Sequence, residues 1–101
     1  MKNKEQVFNF ANQFATDDYQ KRNGNYPKSN MPDTINVNQN DVGVAMYFSF
    51  KNTDETTAKR WVERKYVSQI QSKFPDVKSL VTAQQSGDYQ DDWIDVTFIM
   101  K

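Results

Sequence analysis

The chain has 101 residues, a length that fits one domain and leaves no room for a second. Basic and acidic side chains number 13 each, so the formal net charge is zero. This balance argues against a protein that mainly coats a phosphate backbone, and against a wholly acidic mimic of nucleic acid. The sequence has no Cys and no His, which excludes a thiol nucleophile, an imidazole acid/base, a zinc-finger site and a disulfide framework.

The N-terminal segment, MKNKEQVFNFANQF, does not look like a targeting signal, because Asn and Gln interrupt its apolar residues. No stretch of the chain approaches the ~18 apolar residues of a membrane span. The sequence therefore predicts a cytoplasmic protein without membrane association. Its seven Phe, five Tyr and two Trp indicate a core built from few but large side chains.

The first predicted element is an amphipathic helix from Lys4 to about Arg22. Asn3 fits the N-cap with Gln6 in the capping-box position, and Asn23-Gly24 fits the end of the helix. Its apolar residues recur at spacings of three and four, which places them on one stripe. They are Val7, Phe8, Phe10, Ala11, Phe14 and Ala15.

The Asn-rich segment from Asn23 to Asp41 is predicted to be mostly loop. Within it, Ile35 and Val37 alternate with Asn, which predicts a short edge strand that forms a hairpin with the next strand through residues 39–41. That next strand, Val42 to Phe50, carries apolar side chains at every second position, as a half-buried central strand does. These are Val42, Val44, Met46, Phe48 and Phe50.

A second helix is predicted to begin with Thr53 or Asn52 as its cap and to continue to Phe74, where Pro75 ends it. Its core face is a row at spacing four that Trp61 and Val67 widen: Ala58, Val62, Tyr66, Ile70 and Phe74. Two strands follow, Val77 to Ala83 and Trp93 to Met100, joined by a hydrophilic hairpin loop. The last strand turns four apolar side chains to one face: Ile94, Val96, Phe98 and Met100.

These elements predict one α+β domain spanning residues 1–101. The order is α-(β)-β-α-β-β, in which the sheet has three strands without the short strand in parentheses and four with it. The expected architecture is a three- to four-stranded antiparallel or mixed sheet, with the two helices packed on one face.

Charge is unevenly distributed along the chain. Residues 51–75 hold six basic and three acidic side chains, whereas residues 76–101 hold two basic and five acidic ones. Arg60 and Arg64, one helical turn apart, suggest a docking patch for phosphate or for an acidic protein surface. A solvated helix face is the alternative reading.

The acidic hairpin holds Asp88, Asp91 and Asp92, which suggest a partner-binding tip. An ordinary hydrophilic turn is the alternative. The spacing of these carboxylates does not match an EF-hand calcium loop, and neighbouring strand residues point to opposite faces, so they do not form a paired acid/base site.

The sheet face turned away from the helices is predicted to carry Tyr47, Trp93 and Ile99. Ala45, Ser49, Leu80, Asp95 and Thr97 share this face. A partly apolar face without a covering helix suggests a protein interface or a homodimer contact. A base-stacking platform and partial cover by the Asn-rich loop are the alternatives.

The chain is small, begins with MKNKEQ, contains the stretches NQND and KSNMP, and lacks catalytic residues. In these features it resembles the small, cysteine-free, Asn/Lys/Gln-rich proteins encoded by phages and mobile elements of low-GC Gram-positive bacteria, a class that includes the type II anti-CRISPR proteins. The resemblance implies a compact non-enzymatic domain that blocks a host nuclease by occupying a surface. It carries over no functional residue.

The sequence thus predicts a non-enzymatic inhibitor or accessory protein, without cofactor or metal, that binds a protein or ribonucleoprotein partner. The predicted contact residues are Tyr47, Trp93, Ile99, Asp88, Asp91, Asp92, Arg60 and Arg64. The alternative is a small RNA- or single-strand-DNA-binding domain that uses Tyr47, Trp93, Arg60 and Arg64.

Overall fold

The computed structural model describes residues 3–21, 32–86 and 93–101. They form an α+β domain in which a four-stranded antiparallel sheet carries the helices on one face. The elements are α1 (Lys4–Lys21), β1 (Pro32–Gln39), β2 (Val44–Lys51), α2 (Glu55–Val62), a π-helical segment (Glu63–Val67), α3 (Ser68–Lys73), β3 (Ser79–Ser86) and β4 (Trp93–Met100). The predicted helix stop at residues 23–24 lies outside the described residues, as do residues 87–92 of the predicted hairpin loop between the last two strands.

The sheet has the strand order β1-β2-β4-β3, and each neighbouring pair is antiparallel. The predicted edge strand exists and is longer than Ile35 and Val37 alone. β2 is central, as its apolar alternation indicated, and β4 is the second central strand. Because β4 lies between β2 and β3, the connection from β2 to β3 crosses over β4, and its helices cover that part of the sheet.

The core lies between the helices and one face of the sheet. The alternating apolar residues of β2 and β4 are buried there, from Val44 to Phe50 and from Ile94 to Met100. Opposite them, four members of the predicted helical row are fully buried: Ala58, Val62, Tyr66 and Ile70. Each large apolar side chain buried in this way contributes about 1.5–3 kcal/mol to stability.

The start of β2 differs from the sequence prediction, because the strand begins at Val44 and not at Val42. The side chain of Asn40 accepts hydrogen bonds from the backbone N–H groups of Val42 and Gly43, each over 2.9 Å. These bonds hold residues 40–43 in a turn between β1 and β2. Val42 is therefore 56% exposed and is not a core residue.

Further boundaries differ from prediction at α2 and at β3. The cap of α2 is Asp54, and not Thr53 or Asn52: the Asp54 carboxylate accepts from the Thr57 N–H over 3.1 Å. β3 begins at Ser79, two residues after Val77, which is buried just before the strand and donates its N–H to the carbonyl of Phe74. β3 also extends to Ser86, three residues beyond the predicted end at Ala83.

The second predicted helix is a composite of α2, the π-helical segment and α3, which we call the composite helix. The Ser68 N–H donates to the carbonyl of Glu63, five residues earlier. In a regular helix of 3.6 residues per turn, each step of four residues turns a side chain about 40° further round the axis. The wider π-helical turn offsets this drift, so Tyr66 and Ile70 remain on the core face.

Candidate functional site

The sheet face turned away from the helices, which we call the open face, presents three complete cross-strand rows of side chains. The register defines them as Asn38, Ala45, Ile99 and Leu80; Asn36, Tyr47, Thr97 and Thr82; and Thr34, Ser49, Asp95 and Gln84. Asp95 is the single charged side chain in these rows. The centre of the open face therefore consists of uncharged polar and apolar side chains, with one carboxylate.

Apolar surface on the open face is concentrated at Tyr47 and Leu80, which are 42% and 59% exposed. Trp93 and Ile99 are half-buried. Ala45 points to the same face by alternation but is only 3% exposed, because its methyl group lies between the longer side chains of its row. The predicted apolar face therefore exists with Tyr47 and Leu80 as its most accessible members.

The polar side chains of the open face form local contacts. Ser49 Oγ donates a hydrogen bond to Asp95 Oδ1 over 3.0 Å, and Lys51 Nζ lies 5.7 Å from the ring centroid of Trp93. A shallow depression of about 300 Å³ lies in the middle of the face. The side chains around it include Tyr47, Ser49, Thr82, Gln84, Asp95 and Thr97.

A second candidate surface lies on the composite helix. Five residues line a depression of about 370 Å³, which we call the Trp61 depression: Thr57, Arg60, Trp61, Arg64 and Lys65. The guanidinium groups of Arg60 and Arg64 make no hydrogen bond or ion pair within the described part of the chain. Lys65 Nζ lies 3.5 Å from Asp18 Oδ1 on α1. The depression therefore carries a concentration of positive charge.

The structure separates the predicted site residues into two groups. Tyr47, Trp93 and Ile99 share the open face. Arg60 and Arg64 lie on the helical side, where Trp61 packs against the core rings of β2 with centroid distances of 5.7 and 6.3 Å. The aromatic and basic residues named for a nucleic-acid site do not come together. Asp88, Asp91 and Asp92 lie outside the described residues.

Sequence reasoning missed two features of these surfaces. It assigned Trp61 to the core stripe, although this half-buried side chain both packs inward and lines the depression. It also passed over Asp33, which lies where the register of β1 shifts between Pro32 and Thr34. A cleft of about 540 Å³ separates β1 from α1 at this position, and the buried Asp33 Oδ1 has no hydrogen-bond partner among the described residues.

No three acidic side chains in residues 3–21, 32–86 and 93–101 are grouped so that they could hold a metal ion. No helix in the same ranges is long and apolar enough to cross a membrane. Comparison with known proteins gives no match to a protein-family model, to a curated protein or to a solved structure.

Proposed function

We propose that this protein is a non-enzymatic binding module, an inhibitor or accessory factor, that uses its open face to cover part of a partner protein. The observation that carries the proposal is the exposure of Tyr47 and Leu80 within rows that hold one charged side chain. Interface centres are poor in charge and rich in aromatic residues. An exposed aromatic and an exposed aliphatic side chain on a nearly uncharged face are features of such an interface.

The charge pattern of the open face favours protein over nucleic acid. A single-strand binder places cations beside its stacking aromatics, because the phosphate backbone supplies much of the affinity. The three rows contain no Lys or Arg. Lys51 lies beyond one end of them. Lys78 and Lys101, whose backbone N–H groups donate to each other's carbonyl oxygens, lie beyond the other end. Charged side chains at the margin match the polar rim of a protein interface.

The resemblance to the anti-CRISPR class makes a host defence nuclease the first partner to test. Inhibition by occupying a nuclease surface requires shape and polarity that match the target, and no catalytic group. The open face is suited to this role because a sheet presents its side chains in a fixed array.

A photo-crosslinking amino acid placed at Tyr47, and separately at Leu80, tests the proposal. The matched control position is Gln69, which is exposed on the composite helix. After irradiation in host cells and nuclease digestion, we expect the same host protein to be attached at positions 47 and 80 and not at 69. Thr97→Arg, which places a charge in the centre of the open face, should abolish both crosslinks without changing the melting temperature by more than a few degrees.

Three outcomes would contradict the proposal. Crosslinking from all three positions alike would indicate non-specific capture. Partners that disappear after nuclease digestion would indicate nucleic acid. Attachment to a second copy of the chain alone would assign the open face to self-association.

A further inference from the structure

We propose that the Trp61 depression binds a nucleoside phosphate, either free or as one unit of a single-stranded nucleic acid. Its volume of about 370 Å³ lies within the range of small-molecule sites, roughly 300–1,000 Å³. It lies on the helical side of the sheet, away from Tyr47 and Leu80. This site is therefore independent of the proposed partner surface.

The basic side chains of the depression favour an anion with several oxygen atoms. Arg60 and Arg64 are exposed and four residues apart, and within the described residues no carboxylate pairs with either guanidinium. A guanidinium donates two parallel hydrogen bonds to phosphate oxygens, a geometry that an ammonium group cannot reproduce. Lys65 adds a third cation beside them, and its ammonium group lies 3.5 Å from Asp18 Oδ1.

Trp61 favours a ligand with a flat apolar part in addition to the phosphate. Its indole meets the rings of Phe48 and Phe50 at 71° and 77°, and it lies 5.6 Å from the ring of Tyr66. These contacts fix the indole in place, while the side chain remains only half-buried and lines the depression. A fixed aromatic beside cations is the combination with which single-stranded nucleic acids are bound, since the base stacks while the phosphate is neutralised.

The π-helical segment borders the depression and supplies Arg64 and Lys65. Such segments are rare and occur frequently at functional sites. The depression thus combines three cations, a fixed aromatic and an irregular helical turn in one place.

Trp61 itself supplies the measurement. The chain has two Trp, so Trp93→Phe on the open face leaves Trp61 as the single tryptophan. In this background we would titrate adenosine monophosphate, adenosine, inorganic phosphate and a short single-stranded oligoadenylate at low salt, following tryptophan fluorescence. We expect saturable quenching by the monophosphate, with about tenfold weaker binding for adenosine and for phosphate alone.

Substitutions that each remove one positive charge test which residues contribute to binding. Arg60→Gln and Arg64→Gln should each weaken binding of the monophosphate by about tenfold, which corresponds to the loss of a charge-assisted hydrogen bond. Lys59→Gln removes the same charge from an exposed position of α2 that does not line the depression, and should leave the affinity nearly unchanged. All three positions are exposed, so the variants should retain the melting temperature of the parent protein.

The oligoadenylate distinguishes the two sources of the ligand. Tighter binding of the oligomer than of the monophosphate, at equal nucleotide concentration, would indicate single-stranded nucleic acid; equal binding would indicate a free nucleotide. Equal affinity for adenosine and its monophosphate would overturn the proposal, as would an equal loss in Lys59→Gln and Arg64→Gln. Absence of saturable quenching by any phosphate-bearing probe would overturn it as well.

Discussion

The hydroxyl of Tyr66 donates a hydrogen bond to Asp18 Oδ2 over 3.4 Å, between side chains that are both buried. Oδ1 of the same carboxylate is 3.5 Å from Lys65 Nζ. Asp18 belongs to α1 and its two partners belong to the composite helix. One carboxylate therefore links α1 to the composite helix on the helical face of the sheet.

Tyr66→Phe removes the hydroxyl and keeps the ring, which packs against Phe14 and Phe48 at centroid distances of 5.0 and 5.1 Å. We expect the free energy of unfolding to fall by about 0.5–1.5 kcal/mol, toward the lower value because the bond is long. Urea denaturation of Tyr66→Phe, Asp18→Ala and the double variant gives the coupling between the two residues. Additive effects of the two substitutions would show that the hydrogen bond contributes nothing.

Neighbouring residues of β2 should differ sharply in their effect on stability, because they lie on opposite faces. Phe48→Ala empties a buried position in the core and should cost about 3–5 kcal/mol. Tyr47→Thr, on the open face, should change stability by no more than about 0.5 kcal/mol. Thermal unfolding followed by circular dichroism compares the two variants, and a large cost at Tyr47 would mean that the open face is covered.

Asp54 should set the stability of the start of α2. Its carboxylate accepts from both the hydroxyl and the N–H of Thr57, over 2.5 and 3.1 Å. Asp54→Ala removes both bonds and should lower the melting temperature, whereas Asp54→Asn retains an acceptor and should lower it less. An unchanged melting temperature in Asp54→Ala would mean that the helix does not depend on this cap.

The same cap should respond to acid. The hydroxyl of Thr57, and then its N–H, stabilise the ionised carboxylate and lower the pKa of Asp54 below its usual value of 3.8. Its contribution to stability is therefore complete above pH 3.8 and is lost as the pH falls through the lowered pKa of the folded state. The difference in melting temperature between the wild type and Asp54→Asn should shrink over that interval, and a difference that stays constant would contradict the assignment.

Gly43 lies against the backbone of the last strand. A Cβ atom at this position would be 2.0 Å from the Met100 carbonyl oxygen. Gly43→Ala would therefore force the turn between β1 and β2 away from β4, and should lower stability by about 1–3 kcal/mol. Val42→Ala, in the same turn but exposed, is the control and should change stability by about 0.5 kcal/mol at most.

Truncation of the Asp33 side chain should increase stability, in contrast to the substitutions above. Its buried Oδ1 lacks a donor among the described residues, and an unsatisfied buried polar atom typically costs about 1–3 kcal/mol. Asp33→Ala should raise the free energy of unfolding by about 1 kcal/mol. A loss of stability in chemical denaturation would show that the carboxylate is hydrogen-bonded in solution.

The faces of the elements could be predicted from the sequence, but some of their ends could not. Alternation in β2 and β4 reports which side chains meet the core, because burial follows the period of the strand. At Val42 the same alternation continues into a turn, where the side chain of Asn40 takes the backbone N–H groups that a strand would have used. The sequence did not indicate the full length of β1, because Asn residues have poor strand propensity. Pairing with β2 outweighs this propensity in the folded chain.

The candidate site was predicted only in part. Helical spacing already placed Arg60 beside Arg64, and strand alternation placed Tyr47 on the face without helices. The predicted faces therefore place the aromatic residues of the sheet on the opposite side from Arg60 and Arg64. The alternative prediction of a nucleic-acid-binding domain nevertheless assigned both sets of residues to one site. Trp61 was assigned to the core because its apolar character fits the buried stripe, and sequence alone does not show which part of a large ring stays accessible.

The π-helical segment contains one residue more than the core requires. In a regular α-helix, residues spaced by four, three and four positions stay on one face. The buried residues of the composite helix, from Ala58 to Ile70, are instead spaced by four positions three times in succession. Removing a single residue between Val62 and Tyr66 should thus leave a continuous α-helix with an intact core. What such a deletion alters is the outer surface, where the π-helical segment places Arg64 and Lys65 beside Trp61.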